Sequence, residues 1–106
     1  MSDKFIRRSR ETAARKLGDE TMVLAILEST LFSLNEVASV VWAAADGQTP
    51  LRTIVMNAIV PAFEVDAETA YRDALELVGE LAREGILEVA DAPLAPAATE
   101  PAGKQR

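Results

Sequence analysis

Apolar residues follow one spacing in the first third of the chain and another in the rest, and the change falls at Leu34 and Asn35. Before this junction, short apolar stretches alternate with polar breaks, a pattern that is typical of β-strands. After it, apolar residues recur at intervals of three and four, as on one face of a helix. Asn35 is a favoured N-cap residue, and Glu36 places a carboxylate in the first turn, where the helix dipole stabilises it. The pattern therefore predicts strands first and helices afterwards.

Three strands are predicted before the junction. Residues 13–17 have room for one short strand, and Gly18 with Asp19 supplies a turn, because glycine accepts positive φ and aspartate can bond its own nearby backbone. Residues 22–27 are a continuous apolar run of strand length that ends at a polar break. Residues 30–34 then complete a three-stranded antiparallel sheet made of two hairpins.

Three helices are predicted after the junction. The first runs from residue 35 to about residues 46–47. The second begins at residues 49–50, where Thr49 is a competent cap and proline suits the first helical position. The second helix is expected to stop around Val60, since Pro61 disfavours helical backbone in the residue before it. The third runs from its cap at residue 66 to about residue 84, and residues 86–89 form a last extended piece. This order predicts the α+β class.

The two ends of the chain differ in composition from the middle. Six of the eleven basic residues lie within the first sixteen positions, and we interpret residues 1–12 as a loosely ordered basic arm, with Phe5 and Ile6 held against the domain. A solvated terminus is the simpler explanation of this charge, and an acidic partner is the alternative. From residue 90 onward, alanine, proline and polar residues predominate, which predicts a disordered tail over residues 90–106. Residues 13–89 remain as the domain.

Composition excludes several classes of function. The chain has no Cys and no His, which removes thiolate metal sites, zinc chemistry and histidine acid–base catalysis. The many carboxylates lie at solvent-facing helical spacing, so we expect no enzymatic activity. Because His, Cys and a glycine-rich phosphate loop are all absent, we also expect no metal or organic cofactor. The net charge of −6 disfavours a general nucleic-acid binder. No signal-peptide core and no apolar run of about 20 residues occurs, so we expect a cytoplasmic protein.

The segment from Leu17 to Asn35 resembles, without a gap, the hallmark of the PqqD family, which is named after the pyrroloquinoline quinone biosynthesis chaperone. The best-matching positions are Leu17, Glu20, Leu24 and the run Phe32-Ser33-Leu34-Asn35. The similarity continues through Val37-Ala38, Trp42, Asp46-Gly47, Val65-Asp66, Glu68, Asp73 and the ending Leu81-x-x-x-Gly85-Ile86-Leu87, and it covers about residues 13–88. Three positions depart from the family pattern: Ser29 stands where glycine is usual, Ala25 where aspartate is common and Leu31 where an aromatic residue is common.

The resemblance implies a small winged-helix-like domain, with a three-stranded antiparallel sheet followed by three helices, that acts as a peptide chaperone. Such modules are precursor-peptide recognition elements in the biosynthesis of ribosomally made, post-translationally modified peptides. The leader peptide adds as a further strand to the third strand, beside the third helix, and is presented to a modifying enzyme, often a radical-SAM protein. The family member itself is not a catalyst. An open sheet edge would also permit a homodimer.

The predicted peptide-binding residues are Leu31, Phe32 and Ser33 of the third strand with Tyr71 and Leu75 of the third helix. Backbone pairing alone barely offsets the cost of association, so apolar side chains must add binding energy. Tyr71 and Leu75 lie at the shoulder of the apolar stripe of the third helix, which makes them candidates for a groove. The alternative is that both only widen the core stripe, and for Phe32 a place in the core is the stronger interpretation.

Two other functions are compatible with the same architecture, since fold does not decide function. One is a winged-helix DNA-binding protein, although the second and third helices carry more acidic than basic residues. The other is a structural adaptor that binds a protein partner through its edge strand. A short peptide gene and a modifying-enzyme gene beside this one would favour leader recognition over both.

Overall fold

The computed structural model describes residues 3–95, which form six strands and three helices. The strands are β1 (Phe5–Arg8), β2 (Thr12–Leu17), β3 (Glu20–Ala25), β4 (Thr30–Leu34), β5 (Asp46–Pro50) and β6 (Leu87–Ala90). The helices are α1 (Glu36–Ala43), α2 over residues 51–63 and α3 (Ala67–Arg83). The predicted α+β class, with strands before the junction and three helices after it, is confirmed.

The predicted three-stranded antiparallel sheet is present, in the order β2-β3-β4. Leu17 pairs with Glu20 across the two-residue turn, and Gly18 at its first position has φ 65°, which a side chain would disfavour. The middle strand starts and ends about two residues earlier than predicted, because residues 26–29 form the second turn, in which the Ser29 amide donates to the Ile26 carbonyl at 3.2 Å. Ser29 has φ 53°, a left-handed backbone that glycine adopts without strain. This geometry explains the glycine that the family usually has there.

A second sheet, in the order β5-β1-β6, was not predicted, and it corrects the interpretation of the basic arm. Residues 5–8 are the central strand of this sheet, and the Ile6 side chain is fully buried. The two arginines that follow Ile6 in β1 interrupt any apolar pattern that would indicate a strand in the sequence. Both arginines have partners within the domain. Arg7 pairs with Glu88, and the Arg8 guanidinium donates to the Ala43 carbonyl at 2.6 Å, at the end of α1.

Helix α2 continues through the proline that was expected to stop it near Val60. It consists of an α-helical turn over Leu51–Ile54, a π-helical turn over Val55–Ile59 and a second α-helical turn over Val60–Phe63. The Val60 amide donates to the Val55 carbonyl, five residues back, and Pro61 stands at the start of the last turn. Because a proline in the first turn of a new helical segment needs no amide donor, the wider turn lets the helix pass it.

Two of the predicted helix caps are confirmed. The Asn35 side chain accepts from the Ala38 amide at 2.9 Å, and the Asp66 side chain accepts from the Thr69 amide at 3.0 Å. The start of α2 differs, because Thr49 does not cap it and instead donates to Asp46 in β5. Helix α1 ends at Ala43, before the predicted residues 46–47, because the chain enters β5 at Asp46.

The core lies between the two sheets and the three helices. Trp42 belongs to it, with 8% of its surface exposed, and its ring nitrogen donates to the Ile86 carbonyl at 3.0 Å. The segment after β6 also packs on the domain, since the Leu94 amide donates to the Gly47 carbonyl at 2.7 Å. Residues 96–106 of the predicted tail lie outside the described residues. Among residues 3–95, no helix has the length and hydrophobicity needed to span a bilayer.

Candidate functional site

The candidate site is the edge of the first sheet at β4, which among residues 3–95 pairs with β3 on one side only. In an antiparallel ladder, consecutive residues point their amide and carbonyl groups alternately to one neighbour and to the other side. The Ile26 amide donates to the Glu11 carbonyl at 2.9 Å, so the even-numbered residues of β3 bond to β2. The odd-numbered residues of β3 therefore bond to β4.

The register of β4 then decides which of its backbone groups face outward. Val23 is opposite Phe32 and Thr21 is opposite Leu34, so Phe32 and Leu34 use their amides and carbonyls for the ladder. The backbone groups of Leu31 and Ser33 point away from β3. We call these four groups the strand edge; within the described residues no strand pairs with them.

Side chains of β4 alternate between the two faces of the sheet. Phe32 packs against the core and Leu34 is buried in it, on the face that contacts α1 and lies next to residues 80–84 at the end of α3. Leu31 and Ser33 lie on the opposite, solvent-facing side, and the Leu31 side chain is 59% exposed. A strand added to β4 would therefore place every second side chain next to α3 and the others beside Leu31.

Two cavities lie along the side of α3 that faces β4. The first, which we call the acidic cavity, is formed by residues 32–34 of β4 and by Glu80, Leu81, Arg83 and Glu84 of α3. The second, which we call the apolar cavity, has a volume of about 260 Å³ and begins at Asn35, where β4 ends. Its walls are mainly Val37 and Val41 of α1, Ile59 and Phe63 of α2, and Ala70, Ala74 and Leu77 of α3. The acidic cavity thus lies beside the strand edge, and the apolar cavity lies just beyond its end, at Asn35. We call the strand edge and the two cavities together the groove.

The structure brings together Leu31, Phe32 and Ser33 but places Tyr71 and Leu75 elsewhere. Neither residue lines the acidic or the apolar cavity. The Arg52 guanidinium lies 4.1 Å from the centre of the Tyr71 ring, on the side of α3 that faces the start of α2. Leu75 follows Tyr71 by one helical turn and shares its side. The functional role of the five predicted residues stays a prediction.

The residues of α3 that line the two cavities but are not among the predicted ones lie on the other shoulder of the same helix. At about 100° per residue, Leu77, Glu80 and Glu84 project from the opposite side of the apolar stripe to Tyr71 and Leu75. Periodicity shows both shoulders but does not say which one faces β4. Carboxylates at this spacing are also typical of a solvated helix face, so no sequence signal distinguishes Glu80 and Glu84 from the other exposed carboxylates.

The charged residues of the groove are mostly acidic. Asp73 lines the apolar cavity, and Glu80 and Glu84 line the acidic cavity, where Arg83 is the one cation from the part of the chain that the structure describes. The two ion pairs within residues 3–95 join Lys4 with Asp91 and Arg7 with Glu88, so neither involves these three carboxylates. Over the same residues, no cluster of three or more His, Asp or Glu side chains has a geometry that could hold a metal ion. The groove thus offers backbone groups, apolar area and negative charge.

Comparison with known proteins agrees with this geometry. The solved structure of TbiB1 in complex with the TbiA(beta) leader peptide is similar in fold, with a TM-score of 0.69 and 26% sequence identity. The similarity covers 77% of this chain and 94% of that chain. A comparison with curated proteins gives no significant sequence match. The sequence pattern of coenzyme PQQ synthesis protein D (PqqD) matches residues 20–87, from the start of β3 to the start of β6, and the chain therefore belongs to the PqqD family.

Proposed function

We propose that this protein is a peptide-binding module that captures the leader of a ribosomally made precursor peptide as an added strand on β4. The observation that carries the proposal is the strand edge of Leu31 and Ser33, open to pairing and flanked by two cavities. Membership of the PqqD family and the similarity to a protein solved with a leader peptide support it.

The energetics explain why the groove needs both parts. Four backbone hydrogen bonds at about 0.5 to 1.5 kcal/mol each contribute about 2 to 6 kcal/mol. Association costs at least about 4 kcal/mol, whereas a micromolar complex needs about 8 kcal/mol net. Each apolar side chain buried on binding adds about 1.5 to 3 kcal/mol, so at least two are needed besides the backbone pairing, one of them in the apolar cavity. The cavity is large enough, since an apolar cavity of about 150 Å³ can hold a benzene ring.

We propose Leu31, Phe32 and Ser33 as peptide contacts of β4, with Leu77, Glu80 and Glu84 as the contacts of α3. The side of α3 that carries Tyr71 and Leu75 then has a structural role, as the Arg52 contact suggests. We propose that the folded domain includes β1 in addition to the predicted residues 13–89, because the second sheet, with β1 at its centre, completes the core.

PqqD-like peptide-binding proteins are non-catalytic accessory proteins, and we extend this role to the present chain. We propose a modifying enzyme, of the radical-SAM type or another, as the second partner that receives the bound peptide. The cytoplasmic location and the homodimer stay predictions from the sequence. The DNA-binding alternative gains no support, because the exposed carboxylates of α3 would repel phosphates.

The test is a selection of displayed random peptides on the immobilised protein, followed by titration of the recovered peptides against two leucine variants. Leu77 and Leu75 are both partly buried, pack against the core and lie on the same helix, but only Leu77 lines the apolar cavity. Leu77→Ala should weaken peptide binding about five- to tenfold, since about 1 kcal/mol of apolar contact is lost. Leu75→Ala is the matched control and should bind like the wild type.

Thermal unfolding of both variants separates binding from stability, because each loses similar core contacts. Strand addition on β4 would be refuted if the selection yielded no binding peptide. The assignment of the α3 contacts would be wrong if Leu75→Ala weakened binding while Leu77→Ala did not, because the contact would then lie on the opposite side of α3.

A further inference from the structure

The charge of the groove restricts the chemistry of the peptide, beyond the general requirement for an extended chain. Among residues 3–95, two carboxylates (Glu80 and Glu84) and the Arg83 guanidinium line the acidic cavity, a net charge of −1, and Asp73 in the apolar cavity brings the total to −2. Glu80 and Glu84 stand four residues apart on one side of α3, a spacing at which like charges repel each other. A cation placed between them relieves this repulsion and gains two attractive contacts.

The two cavities lie at different points along the same groove. The acidic cavity involves residues 32–34 of β4 and residues 80–84 of α3, whereas the apolar cavity begins at Asn35 and reaches residues 69–77 of α3. Helix α3 therefore runs along the groove in the direction opposite to β4. Their centres on the helix are separated by about nine residues, or about 13 Å at a rise of about 1.5 Å per residue.

This separation sets the spacing of side chains on an extended peptide. At about 3.3 Å per residue, 13 Å corresponds to about four peptide residues. The number also has to be even, because side chains that both point toward α3 must lie on the same face of the added strand. Distance and face alternation therefore agree on a spacing of four.

We infer that the peptide recognised by this groove carries a bulky apolar residue and a basic residue four positions apart. The apolar side chain occupies the apolar cavity, and the lysine or arginine lies between Glu80 and Glu84. This inference rests on the proposed strand addition at β4, which it refines by defining the class of leader that the groove accepts.

The probes are synthetic peptides of about ten residues, long enough to reach both cavities. Each has a threonine and serine background with one phenylalanine and one lysine four positions apart, made in both orders to allow either strand direction. Comparison peptides replace the lysine by glutamate, or shift it to a spacing of three. Binding is measured by NMR titration of the labelled wild-type protein, at about 0.01 M and about 1 M salt.

The lysine peptide should bind about tenfold more tightly than its glutamate counterpart at low salt. Each exposed charge pair changes binding by a factor of about 1.4 to 5, and the exchange of lysine for glutamate turns attraction into repulsion. The preference should shrink at high salt, where charges are screened over about 3 Å. The peptide with a spacing of three should lose the benefit of its lysine, because that side chain would point away from α3.

The charge reversal Glu80→Lys with Glu84→Lys should invert the preference, so that the glutamate peptide binds more tightly. Asp19→Lys with Glu20→Lys is the matched control, because it makes the same change in net charge at the turn between β2 and β3. This control should keep the preference for lysine. The peptide series on the wild-type protein gives its answer even if the reversed variant does not fold.

Two sets of outcomes separate this inference from the proposed function. Equal binding of the lysine and glutamate peptides, or equal binding at spacings of three and four, would overturn the inference. Strand addition would still stand in that case if Ser33→Pro weakened the binding of every peptide. Binding that shows the lysine preference but is unaffected by Ser33→Pro would instead remove the strand edge on which the inference depends.

Discussion

Replacing Ser33 by proline tests the strand edge with the smallest change to the fold. The Ser33 amide points away from β3, so its removal leaves the ladder between β3 and β4 intact. Proline is tolerated on edge strands where the missing amide would face solvent. The residue before it, Phe32, is already extended, as a proline requires of its predecessor. The Ser33 side chain is exposed, so little packing is lost.

The expected effect on binding follows from one lost hydrogen bond and one steric conflict. The bond contributes about 0.5 to 1.5 kcal/mol, which corresponds to a factor of about 2 to 13 in the dissociation constant. The proline ring also occupies space at the edge where the incoming strand must approach. We therefore expect peptide binding to weaken at least about fivefold, while the free energy of unfolding changes by less than about 1 kcal/mol.

The assay is a fluorescence titration of a labelled peptide recovered by selection, with thermal unfolding measured on the same samples. Ala14→Pro is the matched control, because the Ala14 amide faces outward at the opposite edge of the same sheet, on β2. It should leave binding unchanged. Leu31→Pro removes the second outward amide of β4 and replaces Ser33→Pro if that variant does not fold. Wild-type affinity in a folded Ser33→Pro protein, or equal weakening by Ala14→Pro, would refute strand addition at β4.

Three further predictions concern stability and association. Ser29→Gly should raise the free energy of unfolding, measured in urea, by about 0.5 to 1 kcal/mol. The change removes a strain of about 1 to 2 kcal/mol from the left-handed backbone at residue 29, and the higher entropy of the unfolded glycine chain offsets part of this gain. An unchanged urea midpoint would contradict the prediction. Burial alone would raise the pKa of the Asp46 carboxyl. Three hydrogen bonds, from the amides of Gln48 and Thr49 and from the Thr49 hydroxyl, outweigh the effect of burial and hold this pKa below its ordinary value of 3.8. Asp46→Asn should therefore destabilise the protein by about 1 kcal/mol above pH 5, and this difference should vanish as the pH falls below 4; a difference independent of pH would show that the charge has no role. The open edges of β2 and β4 should allow self-association at high concentration, and light scattering that shows a strict monomer up to the millimolar range would exclude it.

The sequence predicts the parts of the fold that depend on local signals. Gly18, Asn35 and Asp66 mark a turn and two caps by chemistry that acts over a few residues, and each is where it was expected. Strand β1 was missed because its stability comes from pairing with β5 and β6, which are distant in sequence. A four-residue segment with one buried side chain, Ile6, carries no periodicity that could reveal this pairing.

The candidate site divides in the same way. The third strand and its edge follow from the turn pattern, so Leu31, Phe32 and Ser33 could be placed from the sequence. The proposed contacts of α3 could not, because the apolar stripe of α3 has one shoulder at Tyr71 and another near Leu77. The choice between them depends on how α3 crosses β4, which tertiary packing decides.

Amide hydrogen exchange at single residues tests strand addition on β4 most directly. In the free protein the amides of Leu31 and Ser33 should exchange fast, and the Phe32 amide should be protected by its bond to β3. With a selected peptide at about 100 times its dissociation constant, exchange at Leu31 and Ser33 should slow by up to about 100-fold, with no change at Ala14. Unchanged exchange at Leu31 and Ser33 in the saturated complex, or new protection at Ala14 instead, would contradict the account.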